Sequence, residues 1–282
     1  SHRIRDSIEA VEKNNHITYE TRQRQAIIEA VEKGMLVLTG GPGTGKTTTL
    51  RAIITLLESM GETVAIAAPT GRAAKRIAEL TGCEAKTIHR LLQVEWDEND
   101  QPTFAKNEKN NLDCDALVID ELSMVDVTIF EAVLRALPLG CRLILVGDSD
   151  QLPSVGPGNV LGDLIASEML PVVRLNEIFR QSMQSLIVTN AHRIVAGEMP
   201  DLSVRTSDFF FLPSSNAADV AETIVGLCAK RLPASYGYSP MADIQVLCPG
   251  RKGDLGTNEL NKRLQAALNP PDRKKNEITV NG

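Results

Sequence analysis

Residues 35–59 read MLVLTGGPGTGKTTTLRAIITLLES, and this stretch decides the fold of the chain. Its first part, 35–39, is short and almost wholly apolar, which is typical of a strand buried on both faces of a parallel sheet. A run of glycines follows, and apolar residues then return at helical spacing. Residues 40–47 match the pattern G-x-x-x-x-G-K-[ST] between a strand and a helix, which is the context that a phosphate-binding loop requires. The stretch therefore predicts an α/β fold built around that loop.

The glycine loop carries the chemistry of a phosphate site. Its glycines let successive N–H groups turn toward phosphate oxygens, and the positive end of the following helix adds to the attraction. We expect Lys46 to reach the β and γ phosphates of a nucleotide and the Thr47 hydroxyl to hold Mg²⁺. The residues assigned to nucleotide binding in this loop are Gly41, Pro42, Gly43, Thr44, Gly45, Lys46, Thr47 and Thr48.

Strands and helices alternate on both sides of the loop. Further apolar strands are predicted at 63–68, 115–119, 142–146 and 171–175, with helices at 3–13, 21–33, 71–80, 125–137 and near 158–166. This alternation predicts a parallel sheet covered by helices on both faces. It stops at about 92–113, a polar segment containing Trp96 that predicts a small hairpin inserted at the surface. From about residue 174 a second α/β segment is predicted, with helices at 183–196, 216–231 and 256–268 and strands at 209–212 and 243–248.

The composition is that of a globular protein without a membrane anchor. Hydrophobic residues make up 43% of the 282 residues and charged residues 23%, which are ordinary values. No apolar run approaches the ~20 residues that cross a bilayer, and the charged N-terminus lacks the apolar segment of a signal peptide. Five cysteines without a CxxC pair predict reduced thiols and a cytoplasmic protein. The net charge of −6 disfavours nonspecific coating of nucleic acid.

An acidic pair ends the strand at 115–119. Asp120 is expected to bind Mg²⁺ through water, and Glu121 to accept a proton from an attacking water molecule. Small-molecule kinases share the phosphate loop, so phosphate transfer is an alternative to hydrolysis, but the adjacent Asp-Glu pair favours hydrolysis. The sequence also leaves open a protein that uses the nucleotide only to change shape.

The stretch GDSDQ, 147–151, ends another strand of the predicted sheet. Ligands of open α/β sheets bind outside the carboxyl ends of the strands, so Asp148, Asp150 and Gln151 should lie beside the γ-phosphate. The neutral amide of Gln151 can hydrogen-bond both a phosphate oxygen and the attacking water. This chemistry is typical of a residue that senses the phosphate.

A basic helix face follows the strand at 63–68. Arg72, Lys75 and Arg76 are three and four residues apart and so share one face. Thr70 and Gly71 stand at the start of that helix, where backbone N–H groups can bind a nucleic-acid phosphate. A basic helix face is usually only solvated, so the spacing alone leaves both a solvated surface and a contact with nucleic acid open.

The order of the motifs resembles that of superfamily 1 helicases, and the RecD-like subgroup (similar to the alpha subunit of exodeoxyribonuclease V) is the most similar. The resemblance spans about residues 20–270. The motifs that carry it are TRQRQAI, GGPGTGKTT, APTGRAAKR, TIHRLL, IDELSMVD, VGDSDQLPSVGPGNVL, LNEIFRQ and CPGRKGDLGTNELNKRLQAALNP. It implies two RecA-like domains, with ATP at their interface and single-stranded DNA running across the top.

The resemblance also implies domain bounds and residue roles. The implied parts are the end of an N-terminal helical region at 1–19, a RecA-like ATPase domain at 20–173 and an incomplete second RecA-like domain at 174–282. It implies that Gln23 recognises adenine and that Arg180 contacts the γ-phosphate from across the two domains. Gln151 would couple the phosphate to the DNA side. The implied DNA contacts are Thr70, Gly71, Arg72, His89 and Arg251.

The implied activity is ATP-driven, 5′-to-3′ movement on DNA with a single-stranded region, in DNA repair and recombination, alone or with the subunits of a nuclease complex. The family's Val-His-x-x-Gln-Gly motif and its final catalytic arginine do not occur in these 282 residues. An arginine that stabilises the transferring phosphate contributes about 10³ to 10⁵ in rate. We therefore expect the chain by itself to bind Mg-ATP but to hydrolyse it slowly. The alternatives are a nucleotide-switched ATPase that binds DNA or protein without unwinding, and a P-loop kinase.

Overall fold

A computed structural model describes residues 2–272, 274, 276 and 278. The chain forms two compact units, Ser1–Phe210 and Phe211–Gly282. The phosphate loop, the acidic pair and the GDSDQ stretch all belong to the first unit. The domain bounds implied by the motifs, 20–173 and 174–282, stay a prediction.

A parallel sheet of six strands forms the centre of the first unit, in the order β3-β2-β6-β7-β1-β8. Its strands are β1 (Met35–Gly40), β2 (Val64–Ala68), β3 (Lys86–Thr87), β6 (Ala116–Ile119), β7 (Arg142–Gly147) and β8 (Val172–Leu175). All neighbouring strands pair in parallel. The predicted α/β class with a parallel sheet is confirmed, and the short β3 is an addition that the sequence pattern did not reveal.

Helices cover both faces of this sheet. Those of the first unit are α1 (His2–Asn15), α2 (Thr21–Lys33), α3 (Lys46–Ser59), α4 (Gly71–Thr81), α5 (Ile88–Leu91), α6 (Val127–Ala136), α7 (Val160–Ala166) and α8 (Leu186–Val195). One apolar core lies on the side of α1, α2 and α3, and another on the side of α6 and α7. Because residues of β1, β6 and β7 contribute to both cores, these strands are apolar on both faces.

The insertion between β3 and β6 contains the predicted hairpin. Strands β4 (Val94–Trp96) and β5 (Pro102–Phe104) pair antiparallel, with Trp96 opposite Pro102. The Trp96 side chain is 63% exposed. A hydrophobic side chain left in solvent removes little apolar area from water, so Trp96 contributes little to folding.

The second unit consists of helices in its described part. These are α9 (Ala217–Gly226), a π-helical turn (Leu227–Arg231), α10 (Leu232–Tyr236) and α11 (Thr257–Leu268). The strands predicted at 209–212 and 243–248 are wrong: neither segment pairs with another strand in the part of the chain that the structure describes. Apolar residues favour a strand only where a neighbouring strand satisfies their backbone N–H and C=O groups, and Phe210 and Leu247 are instead largely exposed.

The longest described helices, α1 and α3, have 14 residues each. No helix in the described ranges is long and apolar enough to cross a membrane. All five cysteines are free thiols, including Cys114 and Cys141, whose sulfur atoms are 3.9 Å apart.

Candidate functional site

The phosphate loop joins the end of β1 at Gly40 to the start of α3 at Lys46. The Thr44 hydroxyl donates a hydrogen bond of 2.7 Å to the Gly41 carbonyl and so closes the loop on itself. Gly43 and Gly45 have φ angles of +74° and +85°, a left-handed conformation that glycine adopts without strain. The local geometry therefore requires glycine at both positions.

The Lys46 side chain lies inside the loop. Its ammonium group donates to the Gly40 and Gly41 carbonyls at 2.5 and 3.0 Å. Burial lowers the pKa of Lys46, and the nearby carboxylates of Asp148 and Glu121 oppose that shift. An ammonium has three N–H donors, so a further hydrogen bond remains possible here.

The loop opens into a cavity of about 640 Å³ at the carboxyl ends of the strands. This volume is typical of a site for a small molecule. The predicted site residues that line it are Gly41, Pro42, Gly43, Thr44, Gly45, Lys46, Thr47, Thr48, Asp120, Glu121, Asp148 and Gln151. They meet because β6, β7 and β1 are adjacent and parallel, so the segments that follow these strands lie at one edge of the sheet.

The acidic pair has an unusual backbone and shifted pKa values. Glu121 has a φ of +55°, which a residue with a side chain rarely adopts, and its N–H donates to the Asp120 carboxylate at 2.8 Å. Burial raises the pKa of Asp120 and, together with the Asp120 charge, that of Glu121. Such strain is typical of functional sites, and a raised pKa makes a carboxylate a better proton acceptor.

The oxygen atoms available in the cavity are suitable ligands for a magnesium ion. The hydroxyls of Thr44 and Thr49 each donate to a loop carbonyl, at 2.7 and 2.8 Å. The Thr47 hydroxyl makes no hydrogen bond within the described chain, and it lines the cavity together with Asp120. A hydroxyl and a carboxylate are the hard oxygen ligands that Mg²⁺ prefers.

Gln23 connects helix α2 to the loop. Its side chain is buried, its carbonyl oxygen accepts from the Glu20 N–H at 3.0 Å, and its amide donates to the Gly45 carbonyl at 3.2 Å. The first of these bonds completes a capping box at the start of α2. Adenine recognition by Gln23 stays a prediction. The side-chain amide still has one N–H hydrogen and one lone pair on its carbonyl oxygen for that contact.

The segment 176–195, here called the covering segment, packs on the glycines of the loop. The Phe179 N–H donates to the Gly43 carbonyl at 3.1 Å, and His192 Nε2 lies 2.8 Å from the Pro42 carbonyl oxygen. A methyl group added at Gly41 would lie 2.6 Å from the His192 ring, and one added at Gly43 would lie 2.6 Å from Ser182. The sequence does not predict these contacts, because no local pattern shows which distant side chains approach a loop.

Arg180 lies in the same segment. Its neighbours Phe179 and Gln181 line the cavity, whereas Arg180 is exposed and does not. Its contact with the γ-phosphate across two domains stays a prediction.

The basic residues of α4 differ in their surroundings. Lys75 pairs with Glu79 at 4.0 Å on the exposed surface, whereas Arg76 lines the cavity of the phosphate loop. The contact of this helix face with nucleic acid stays a prediction, because spacing along a helix defines a shared face but does not show what each residue of that face contacts. Thr70 begins the helix, and its hydroxyl accepts from the Ala73 N–H at 3.1 Å.

A second, smaller cavity of about 250 Å³ lies beyond Thr70. It is lined by Pro69, Ile88, His89, Met124, Val125, Asp126, Ile129, Pro153, Ser154, Val155 and Gly156. The His89 ring also contacts the Phe104 ring, with 5.9 Å between centroids. Arg251 belongs to the second unit, where it is exposed and its carbonyl oxygen accepts from the Asn258 N–H at the start of α11. The DNA contacts predicted for Thr70, Gly71, Arg72, His89 and Arg251 stay predictions.

Comparisons with known proteins give a family model and several similar proteins. The model of an AAA domain matches residues 23–157, which contain the whole loop and both acidic strand ends. The chain is similar to the ATP-dependent RecD2 DNA helicase of Deinococcus radiodurans, with 39% identity over 84% of this chain and 31% of that protein. It is 31% identical to the RecBCD enzyme subunit RecD of Mycolicibacterium smegmatis, over 87% of this chain and 50% of that protein.

A solved structure, that of the Pif1 helicase from Candida albicans, matches with a TM-score of 0.46 and 25% identity over 66% of this chain and 45% of that one. The chain thus spans about a third to a half of the length of the curated relatives it matches. The activities of those longer proteins depend on parts of their sequences that this chain does not match.

The packing of side chains on Gly45 can be tested with alanine substitutions at Gly45 and at Gly61, a glycine with almost the same φ angle. Their φ angles are +85° and +82°, but a Cβ at Gly45 would lie 2.4 Å from Phe179 and 2.5 Å from Gln23, whereas nothing lies within 4 Å at Gly61. Gly61→Ala should cost about 1–2 kcal/mol of backbone strain. Gly45→Ala should cost about 1–3 kcal/mol more from overpacking. Thermal unfolding measures both, and equal decreases in Tm would contradict the packing.

The charge of Glu121 should destabilise the fold at neutral pH. Because its pKa is raised in the folded protein, the wild type loses stability as the pH rises from about 4.5, the ordinary value, through the raised pKa. Glu121→Gln should therefore raise Tm at pH 7, by roughly 2–4 °C if the gain is about 1 kcal/mol. The gain should vanish below pH ~4.5. Glu98→Gln, at an exposed position of the hairpin, is the control; a gain from Glu121→Gln that is the same at every pH would refute this account.

Proposed function

This chain is a relative of the RecD-like superfamily 1 helicases, as its motifs predicted, and we propose that it forms part of an ATP-dependent DNA helicase. In this proposal, ATP hydrolysis drives 5′-to-3′ movement along single-stranded DNA, with a role in repair and recombination. The observation that carries it is that the phosphate loop, the Asp120-Glu121 pair and Gln151 line one cavity. A phosphate bound by the loop would thus lie among groups that can activate water.

Each residue of the cavity has a distinct part in hydrolysis. Loop N–H groups and Lys46 bind the β and γ phosphates, while Thr47 and Asp120 hold Mg²⁺, which would neutralise charge on the phosphates. Glu121 accepts a proton as water attacks the γ-phosphorus and the bond to the β-γ bridging oxygen breaks, which yields ADP and inorganic phosphate. Its raised pKa suits that task. Gln151 orients the water or the γ-phosphate without adding charge.

The second cavity is the proposed DNA side. Thr70 and Gly71 stand at the N-terminus of α4, where backbone N–H groups bind a phosphate, and the His89 ring offers a surface on which a base can stack. The loop after β7 joins the two cavities, because Gln151 lines the first and Pro153 to Gly156 line the second. A change at the γ-phosphate would therefore move a segment that touches DNA.

DNA-dependent turnover tests this proposal. In the intact protein, the ATPase rate should rise strongly when single-stranded DNA is added, and Lys46→Ala should lower the stimulated rate by about 10²-fold or more. Lys109→Ala, at an exposed position outside both cavities, should leave the rate unchanged. DNA-independent turnover would support the alternative, a nucleotide-switched protein that does not unwind DNA. Transfer of phosphate to a small molecule would support a kinase.

The DNA contact should be electrostatic but limited in extent. With about four phosphates contacted, the slope of log affinity against log salt concentration should be about −3, from roughly −0.7 per phosphate of a single strand. His89→Ala should weaken binding without changing that slope, because stacking involves no ion release. Fluorescence anisotropy with a labelled oligonucleotide measures both quantities. A slope near zero would exclude the phosphate contacts.

A further inference from the structure

Arg76 is a cation on the lining of the cavity at the phosphate loop. The sequence motifs assign it no role in nucleotide binding. It lies on α4, which follows β2, and it lines the cavity together with Lys46, Asp120, Glu121 and Gln151. Within the described ranges its guanidinium makes no hydrogen bond and no ion pair closer than 4.0 Å. Lys75, the adjacent cation on the same helix, pairs with Glu79 instead. An arginine with free donors in the cavity that contains the phosphate loop can bind an anion there.

Arg76 is one of two cations on the cavity lining that can offset the negative charge of a bound anion. Lys46 and Arg76 are the cations among the lining residues, and they face the carboxyl groups of Asp120, Glu121 and Asp148. A magnesium-bound triphosphate adds further negative charge at the same place. Arg76 lies close enough to lower the pKa values of Asp120 and Glu121, which burial raises. Its field therefore acts on the part of the cavity where those carboxylates lie.

The position of α4 indicates which end of the nucleotide Arg76 reaches. Strand β2 is the neighbour of β6, so the helix that follows β2 lies beside the acidic pair at the end of β6. In the proposed reaction that pair acts on the metal and on the water that attacks the γ-phosphate. The same neighbourhood contains Gln151. Arg76 therefore lies on the side of the cavity where the terminal phosphate would bind in the proposed reaction, whereas Gln23 contacts the loop at Gly45.

We infer that Arg76 binds the terminal phosphate of ATP from within the first unit and so distinguishes ATP from ADP. The inference rests on the proposed function, since it needs a nucleotide in this cavity. A guanidinium suits the task because it stays charged and presents paired donors that match phosphate oxygens. The contact forms only when a third phosphate is present, so its loss should weaken ATP binding and spare ADP.

Nucleotide affinities of the full chain test the inference. Isothermal titration in the presence of Mg²⁺ gives Kd values for ADP and for a nonhydrolysable ATP analogue. Arg76→Ala should weaken the analogue by about 10- to 100-fold and change ADP by less than about 3-fold. Arg76→Lys keeps the charge but not the paired donors and should restore part of the loss. Lys75→Ala, one residue away and paired outside the cavity, should change neither affinity.

The outcomes separate this inference from the proposed function. If the wild type binds neither nucleotide, the proposed function fails and the inference with it. If the wild type binds both and Arg76→Ala weakens both equally, Arg76 only holds the acidic pair or the loop, and the inference is wrong. No change in either affinity also refutes it. Arg76→Gln, which keeps part of the length and the helical preference of the side chain without its charge, replaces Arg76→Ala if circular dichroism shows that the alanine variant is misfolded.

Discussion

The parallel alignment of β6, β7 and β1 is the constraint on which the functional site depends. Because these strands are adjacent and run in one direction, their carboxyl ends bring the acidic pair, Asp148 and the phosphate loop to one edge of the sheet. The strands themselves are apolar on both faces and buried. The hydrophobic effect thus sets the positions of the strands, and the polar chemistry is confined to the loops that leave them.

The grouping of charged side chains at this edge of the sheet lowers the stability of the fold. Burial lowers the pKa of Lys46 and raises the pKa values of Asp120 and Glu121, which favours the neutral form of each group. Glu121 also has a strained backbone. These groups are more stable when charge of the opposite sign is near. A cavity of this kind stores free energy that a bound, magnesium-neutralised phosphate can release. Binding and stability are therefore coupled at this edge of the sheet.

The loop after β7 gives the molecule a direct path between its two cavities. Asp148 is buried at the end of the strand and accepts from the Asp150 N–H, which fixes the start of the loop. Gln151 lines the cavity at the phosphate loop, and Val155 a few residues later lines the smaller cavity and is fully exposed. The loop is thus fixed at its origin and contributes residues to both cavities. In the proposed helicase this segment links the phosphate to DNA.

The sequence by itself determined the features that are written in consecutive residues. The glycine loop, the acidic pair, GDSDQ and the strands of the first sheet follow from local spacing, because backbone geometry and apolar periodicity act over a few residues. Only the tertiary structure decided that Phe179 and His192 cover the loop and that Arg76 joins its cavity. It also decided that 209–212 and 243–248 are not strands. These outcomes depend on which distant segments pack together, and local spacing carries no information about such partners.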